Sequence, residues 1–92
     1  MRFMNNVGPQ VRRFREARGW TQDQFAAKLQ ISGFDITRVG VSKIENRYCF
    51  VTDKKLVYLA ETLNVPLQDL FPTRQPGRLH DFMEMLERKY FL

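Results

Sequence analysis

Ninety-two residues, 43% of them hydrophobic, suit one small domain with a modest core and exclude a disordered tail. The lone Cys49 excludes an intramolecular disulfide and a cysteine zinc cluster, and it fits a reducing compartment. The net charge of +5 is lopsided: residues 1–20 hold five Arg against a single Glu, residues 21–50 four bases against three acids, and residues 51–92 six of each.

A basic first half is what a polyanionic ligand selects for, and it is equally what a solvated surface can carry. No apolar run approaches membrane-spanning length, and Met1 to Asn6 lacks the apolar stretch of a signal peptide. The expected location is the cytoplasm.

The first predicted helix runs from about Pro9 to Arg18. Pro9 suits a first helical position, Val11, Phe14 and Ala17 form one stripe, and Gly19 stops the helix. The second runs from about Gln22 to Leu29. Thr21 caps it and Gln24 completes a capping box, with Phe25, Ala26 and Leu29 facing inward. Ile31 to Asp35, "ISGFD", reads as an extended turn. The third helix covers about Arg38 to Asn46, with Thr37 as its cap.

That third helix is built from poor material. Val39, Gly40 and Val41 occupy its first turns, where glycine costs roughly 1 kcal/mol against alanine and valine loses side-chain freedom. Val41 and Ile44 are spaced for a core, while Arg38 and Lys43 point outward.

A loop with Tyr48, Cys49 and Phe50 follows. The fourth helix spans about Asp53 to Asn64, capped by Thr52, with Leu56, Leu59, Ala60 and Leu63 on its apolar side. A fifth helix of one or two turns covers Pro66 to Phe71. Residues 72–77, "PTRQPG", form a turn-rich connector, and a last helix covers about Arg78 to Tyr90 with Leu79, Phe82, Met83, Leu86 and Tyr90 at helical spacing. No strand is expected, so the chain reads as all-α.

Two short helices joined by a turn, the second exposing basic groups, suggest a helix-turn-helix. "FREARGWTQDQFAAKL", then "ITRVGVSKIENR", then "LVYLAETLNVPLQDLF" resembles the Cro/C1-type, or XRE-type, helix-turn-helix regulators over roughly Val7 to Pro72. The features fall in order: Arg15, Gly19, Thr21-Gln22, Ala26, the Ser42 to Asn46 run, and Leu70-Phe71.

The resemblance implies a compact bundle of five short helices of the lambda-repressor-like DNA-binding type plus the C-terminal helix. Residues 1–72 would be the DNA-binding domain, and residues 73–92 the connector and C-terminal helix. It implies that Gln22 reaches the DNA backbone and that Thr37 to Lys43 form the exposed face of the recognition helix. Arg38, Val39 and Ser42 or Lys43 would stand at base-reading positions, Asn46 would contact a phosphate, and Arg15 with Glu45 would form a structural ion pair. Arg38 can fork onto guanine, Val39 can meet a thymine methyl, and Gly40 would give room for DNA backbone.

The sequence departs from the family in two places. Six residues separate Leu29 from Ile36 where the pattern has about one. Arg47 replaces the Gly that usually follows "IEN"; Asn46 is then expected in the left-handed cap conformation, leaving Arg47 free for a phosphate.

Other residues have plainer readings. Arg12, Arg13 and Arg18 read as a solvated helix face, Trp20 and Phe25 as core, and Phe34 as a core plug. Cys49 reads as a bystander, and His80 has no ligand partner at metal spacing. No catalytic constellation, metal site or cofactor motif can be read, so an enzyme is not expected.

The expectation is therefore a sequence-specific regulator of double-stranded DNA, of repressor type, acting as a homodimer. An antitoxin-type autoregulator is a variant, and a protein-interaction module on the same scaffold is the rival. The C-terminal stripe fits either packing on the domain or dimerisation. No small-molecule effector can be read from the sequence.

Overall fold

The computed structural model describes residues 3–72. The predicted connector from residue 73 and the C-terminal helix lie outside the described residues. Four α-helices follow one another: α1 (Gly8–Ala17), α2 (Gln22–Ser32), α3 (Arg38–Glu45) and α4 (Asp53–Leu63). A 3₁₀ turn, Leu67–Leu70, closes the described chain, and no strand occurs among the described residues. The fold is all-α.

Local signals place most helix starts. Thr21 accepts from the backbone of Gln24, and the Gln24 side chain answers the Thr21 amide, a complete capping box. Thr52 caps α4 through the amide of Lys55. Asn64, left-handed at φ 56°, ends α4.

Each helix contributes to a single core. Val11 comes from α1, Phe25 and Leu29 from α2, Val41 and Ile44 from α3, Leu59 and Leu63 from α4, and Leu70 from the 3₁₀ turn. Burying a side chain of this size contributes roughly 1.5–3 kcal/mol. That packing, rather than propensity, holds the short α3.

The structure corrects the sequence reading at several elements. Ile31 and Ser32 are not turn residues; α2 runs on through them. Gly33, at φ +110°, ends it in the left-handed conformation, and the Phe34 amide returns to the Leu29 carbonyl at 2.9 Å. The apparent insertion is therefore spent largely on one more turn of helix. Ile31 is 88% exposed, so no apolar periodicity announced that turn.

The remainder of the link is pinned. Phe34 is buried against Tyr58, and Gln30 Nε2 donates to the Ile36 carbonyl at 2.6 Å. Ala17, expected on the stripe of α1, is exposed, and Arg15 takes the buried position instead. Trp20 lies at the rim of the core, stacked on Phe25 with the Lys28 ammonium 4.7 Å from its ring. The fifth element is a 3₁₀ turn and not an α-helix.

Candidate nucleic-acid interface

Helix α3 begins at Thr37, whose extended backbone and hydroxyl cap the Gly40 amide at 3.4 Å. Ile36 and Val41 occupy the two positions of a hydrophobic staple around that cap, and both are buried. Val41, Ile44 and Glu45 form the inner face. Thr37, Arg38, Val39 and Lys43 form the outer one, with Val39 53% exposed.

Gly40 also has a cause within the domain. A Cβ at Gly40 would stand 2.6 Å from Ile36 Cγ1, inside the domain. The staple residue by itself gives a reason for a glycine at this position.

Below the outer face lies a satisfied polar cluster. Arg15 Nε donates to Glu45 Oε2 at 2.7 Å and its Nη2 to Oε1 at 3.0 Å, while Nη1 donates to the Trp20 carbonyl at 2.7 Å. Gln22 Nε2 donates to the same Glu45 Oε1 at 3.1 Å. The cluster ties α1, the start of α2 and the end of α3 together. One amide hydrogen of the half-buried Gln22 remains outside it.

The exposed residues are not all equally free. Arg38 Nε lies 3.9 Å from Asp23 Oδ1, a loose solvent-exposed pair that leaves most of the guanidinium open. Asn46 Nδ2 donates to both the carbonyl and the hydroxyl of Ser42, at 2.9 and 3.2 Å. That bond holds the half-buried Ser42 and occupies the donor group of Asn46.

The end of α3 contradicts the expected cap. Asn46 is right-handed at φ −88°, and Arg47 itself takes the left-handed conformation at φ 64°. Nor is Arg47 free. Its Nε donates to the Asn5 carbonyl at 2.7 Å, its Nη2 to Asn6 Oδ1 at 3.0 Å, and its guanidinium covers the Phe3 ring at 3.9 Å. The sequence reading missed this N-terminal arm. An Asn just ahead of a Gly-Pro helix start is a capping signal, but its partners near residue 47 are invisible locally.

Elsewhere, Arg12 pairs with Glu16 one turn on along α1, at 2.7 Å. The hydrogen bond from Arg12 holds the Glu16 carboxyl below its usual range, and the same bond raises Arg12. Two grooves lie off α2 and α3. One, of about 770 Å³, is lined by Gln10, Arg13, Phe14 and residues of the 3₁₀ turn. The other, of about 500 Å³, lies between α4 and the chain after it, with Val57 and Leu67 on its walls. No His, Cys, Asp or Glu cluster among the described residues could hold a metal, and no described helix is long and apolar enough to cross a membrane.

A capped, outward-facing α3, joined to α2 by a short pinned link and seated on a common core, defines a helix-turn-helix domain. The chain belongs to the XRE-type helix-turn-helix family of DNA-binding regulators, whose pattern matches residues 11–70. Among solved structures it is similar to the crystal structure of the DNA-binding domain of BldD. Identity is 26% and the TM-score 0.63, over 76% of this chain and 94% of that one. No relative among curated proteins matches at a significant level.

Proposed function

We propose that this chain is a sequence-specific, double-stranded-DNA-binding transcription regulator of repressor type, which reads the major groove with α3. The observation that carries the proposal is the outer face of α3. Arg38, Val39 and Lys43 stand exposed on a helix whose buried polar side chains are all satisfied within the domain. Those side chains have the chemistry of base edges: a guanidinium fork for guanine, a methyl surface for thymine, an ammonium for guanine or phosphate. The family and the DNA-binding neighbour support the same reading.

The remaining roles follow from what each group has left to offer. Thr37 borders the reading end. Gln22 offers its second amide hydrogen to a phosphate while the first stays on Glu45. Ser42 can still offer its hydroxyl hydrogen to DNA, whereas Asn46 donates to DNA only by giving up a bond to Ser42. Arg47 holds the N-terminal arm through Nε and Nη2 and has its Nη1 hydrogens left to offer a phosphate. Such a regulator would act in the cytoplasm.

The functional unit is a symmetric homodimer on an inverted repeat. A helix of eight residues addresses only a few base pairs, too few to select one site in a genome. Two-fold symmetry doubles the reader and sets half-sites roughly 34 Å apart. The Leu79 to Tyr90 stripe lies outside the described residues. Within them, the exposed Val57 and Leu67 on one groove supply apolar surface for such a contact.

The deciding experiment is selection of bound duplexes from a random pool. Recovery of an inverted repeat with half-sites one turn apart supports the reading. Recovery of no preferred sequence would leave the interaction-module alternative in its place.

A further inference from the structure

Asn5 spends the whole hydrogen-bonding capacity of its side chain on three separate parts of the fold. Its Oδ1 accepts from the amides of Val7 and Gly8, at 3.1 and 2.9 Å, where α1 starts. Its Nδ2 donates to the Ile44 carbonyl at 3.2 Å, near the end of α3, and to the Cys49 carbonyl at 2.9 Å. Those two acceptors lie 39 and 44 positions along the chain.

The surrounding arm reinforces the joint. The Met4 amide donates to the Arg47 carbonyl at 3.1 Å, and Arg47 returns two bonds to Asn5 and Asn6. Gly8 lets α1 approach so closely that a Cβ there would collide with the Ile44 carbonyl and stand 2.8 Å from that of Glu45.

We propose that the arm Phe3–Asn6 is a clamp on the C-terminal end of α3, with Asn5 as the positioning residue that sets base discrimination. The inference rests on α3 being the base reader. A helix of eight residues is about 12 Å long, so a tilt of about 5° at its clamped end moves the reading end by about 1 Å. Hydrogen bonds to base edges fail over a smaller displacement than that.

Helix α3, with Val39, Gly40 and Val41 in its first turns, has little intrinsic stiffness to resist such a tilt. No other side chain replaces the amide. Aspartate has no donor, serine has one short hydroxyl, and glutamine carries its amide one methylene too far.

The test compares Asn5→Ser with the parent chain, using the duplex recovered by selection and a scrambled duplex of equal length. Both are measured at a temperature where circular dichroism shows the variant fully helical. Discrimination between the duplexes is expected to fall about tenfold, while affinity for the scrambled duplex and the salt slope stay within about twofold. Arg47→Ala, which leaves the four Asn5 side-chain bonds in place, is expected to lower discrimination about threefold.

Unchanged discrimination in folded Asn5→Ser overturns the proposal. So does failure of both variants to fold without DNA, since Asn5 and Arg47 would then serve the fold alone. Arg38→Ala measured alongside separates the two layers: if it too leaves discrimination intact, the reading of α3 has failed. If it relaxes discrimination while Asn5→Ser does not, only the clamp has failed.

Discussion

Arg15 on α1 and Glu45 on α3 meet through two hydrogen bonds, 2.7 and 3.0 Å long, in the interior of the domain. Both residues are more than nine-tenths buried, Arg15 at 8% and Glu45 at 6% exposure. Gln22 adds a third donor to Glu45, so the pair is also where the start of α2 is fixed against the reading helix. Helix α3 is thus held at the Arg15–Glu45 pair, by Asn5 at Ile44 one residue before it, and by Arg47 two residues after it.

Removing one member leaves a buried charge without its partner. Arg15→Ala and Glu45→Ala are each expected to destabilise the domain by about 3 kcal/mol or more. The double variant should lose clearly less than the sum of the two. Urea unfolding of the four proteins measures the coupling, and strict additivity would mean the pair contributes nothing jointly.

If phosphates supply most of the affinity, log K falls linearly with log salt, by about 0.9 per phosphate neutralised. Titrations on the selected duplex between about 50 and 200 mM salt give that slope directly. An affinity that ignores salt over this range would contradict a DNA-binding surface of any kind.

Arg38→Ala should relax preference at one base pair per half-site and cost roughly 1–3 kcal/mol there. Asp23 stands beside Arg38, but the pair is loose and exposed, so little stability should be lost with it. Binding to a panel of singly substituted duplexes checks this. A uniform loss across the panel would make Arg38 a phosphate contact instead.

Gly40→Ala should improve helix propensity by roughly 1 kcal/mol, yet the net effect is expected to be destabilising. The new Cβ would press on the buried Ile36 at 2.6 Å, and overpacking of this kind costs about 1–3 kcal/mol. Thermal melting of Gly40→Ala decides the sign. A rise in Tm would mean that Ile36 moves aside freely.

Arg47 separates backbone from side chain. Arg47→Ala and Arg47→Gly both lose the bonds to the arm, but only alanine keeps a Cβ at φ 64°. The alanine variant is therefore expected to be less stable than the glycine variant by about 1 kcal/mol. Equal stabilities would show that the left-handed backbone at this position carries no strain.

What the sequence determined by itself was set by neighbours a few residues apart. Thr21 with Gln24, Thr37, and Thr52 cap their helices through amides three residues on, so the starts of α2, α3 and α4 were legible. Periodic Leu59 and Leu63, or Phe25 and Leu29, marked inward faces for the same reason. The helix-turn-helix class was legible because its features recur in a fixed order along the chain.

The tertiary structure alone decided the rest. Ile31 carries helix α2 onward without any apolar face to signal it, and Gly33 ends it where the reading placed a turn. The sequence pointed to Asn46 for the left-handed position, and the structure puts Arg47 there instead. The guanidinium's bonds to Asn5 and Asn6, 42 and 41 positions away, belong to the arrangement in which Arg47 takes it. Asn5, to which the sequence reading gave no role, joins α1, α3 and the loop before α4. Local propensity carries no information about partners forty residues distant; those contacts exist only once the core has brought the helix ends together.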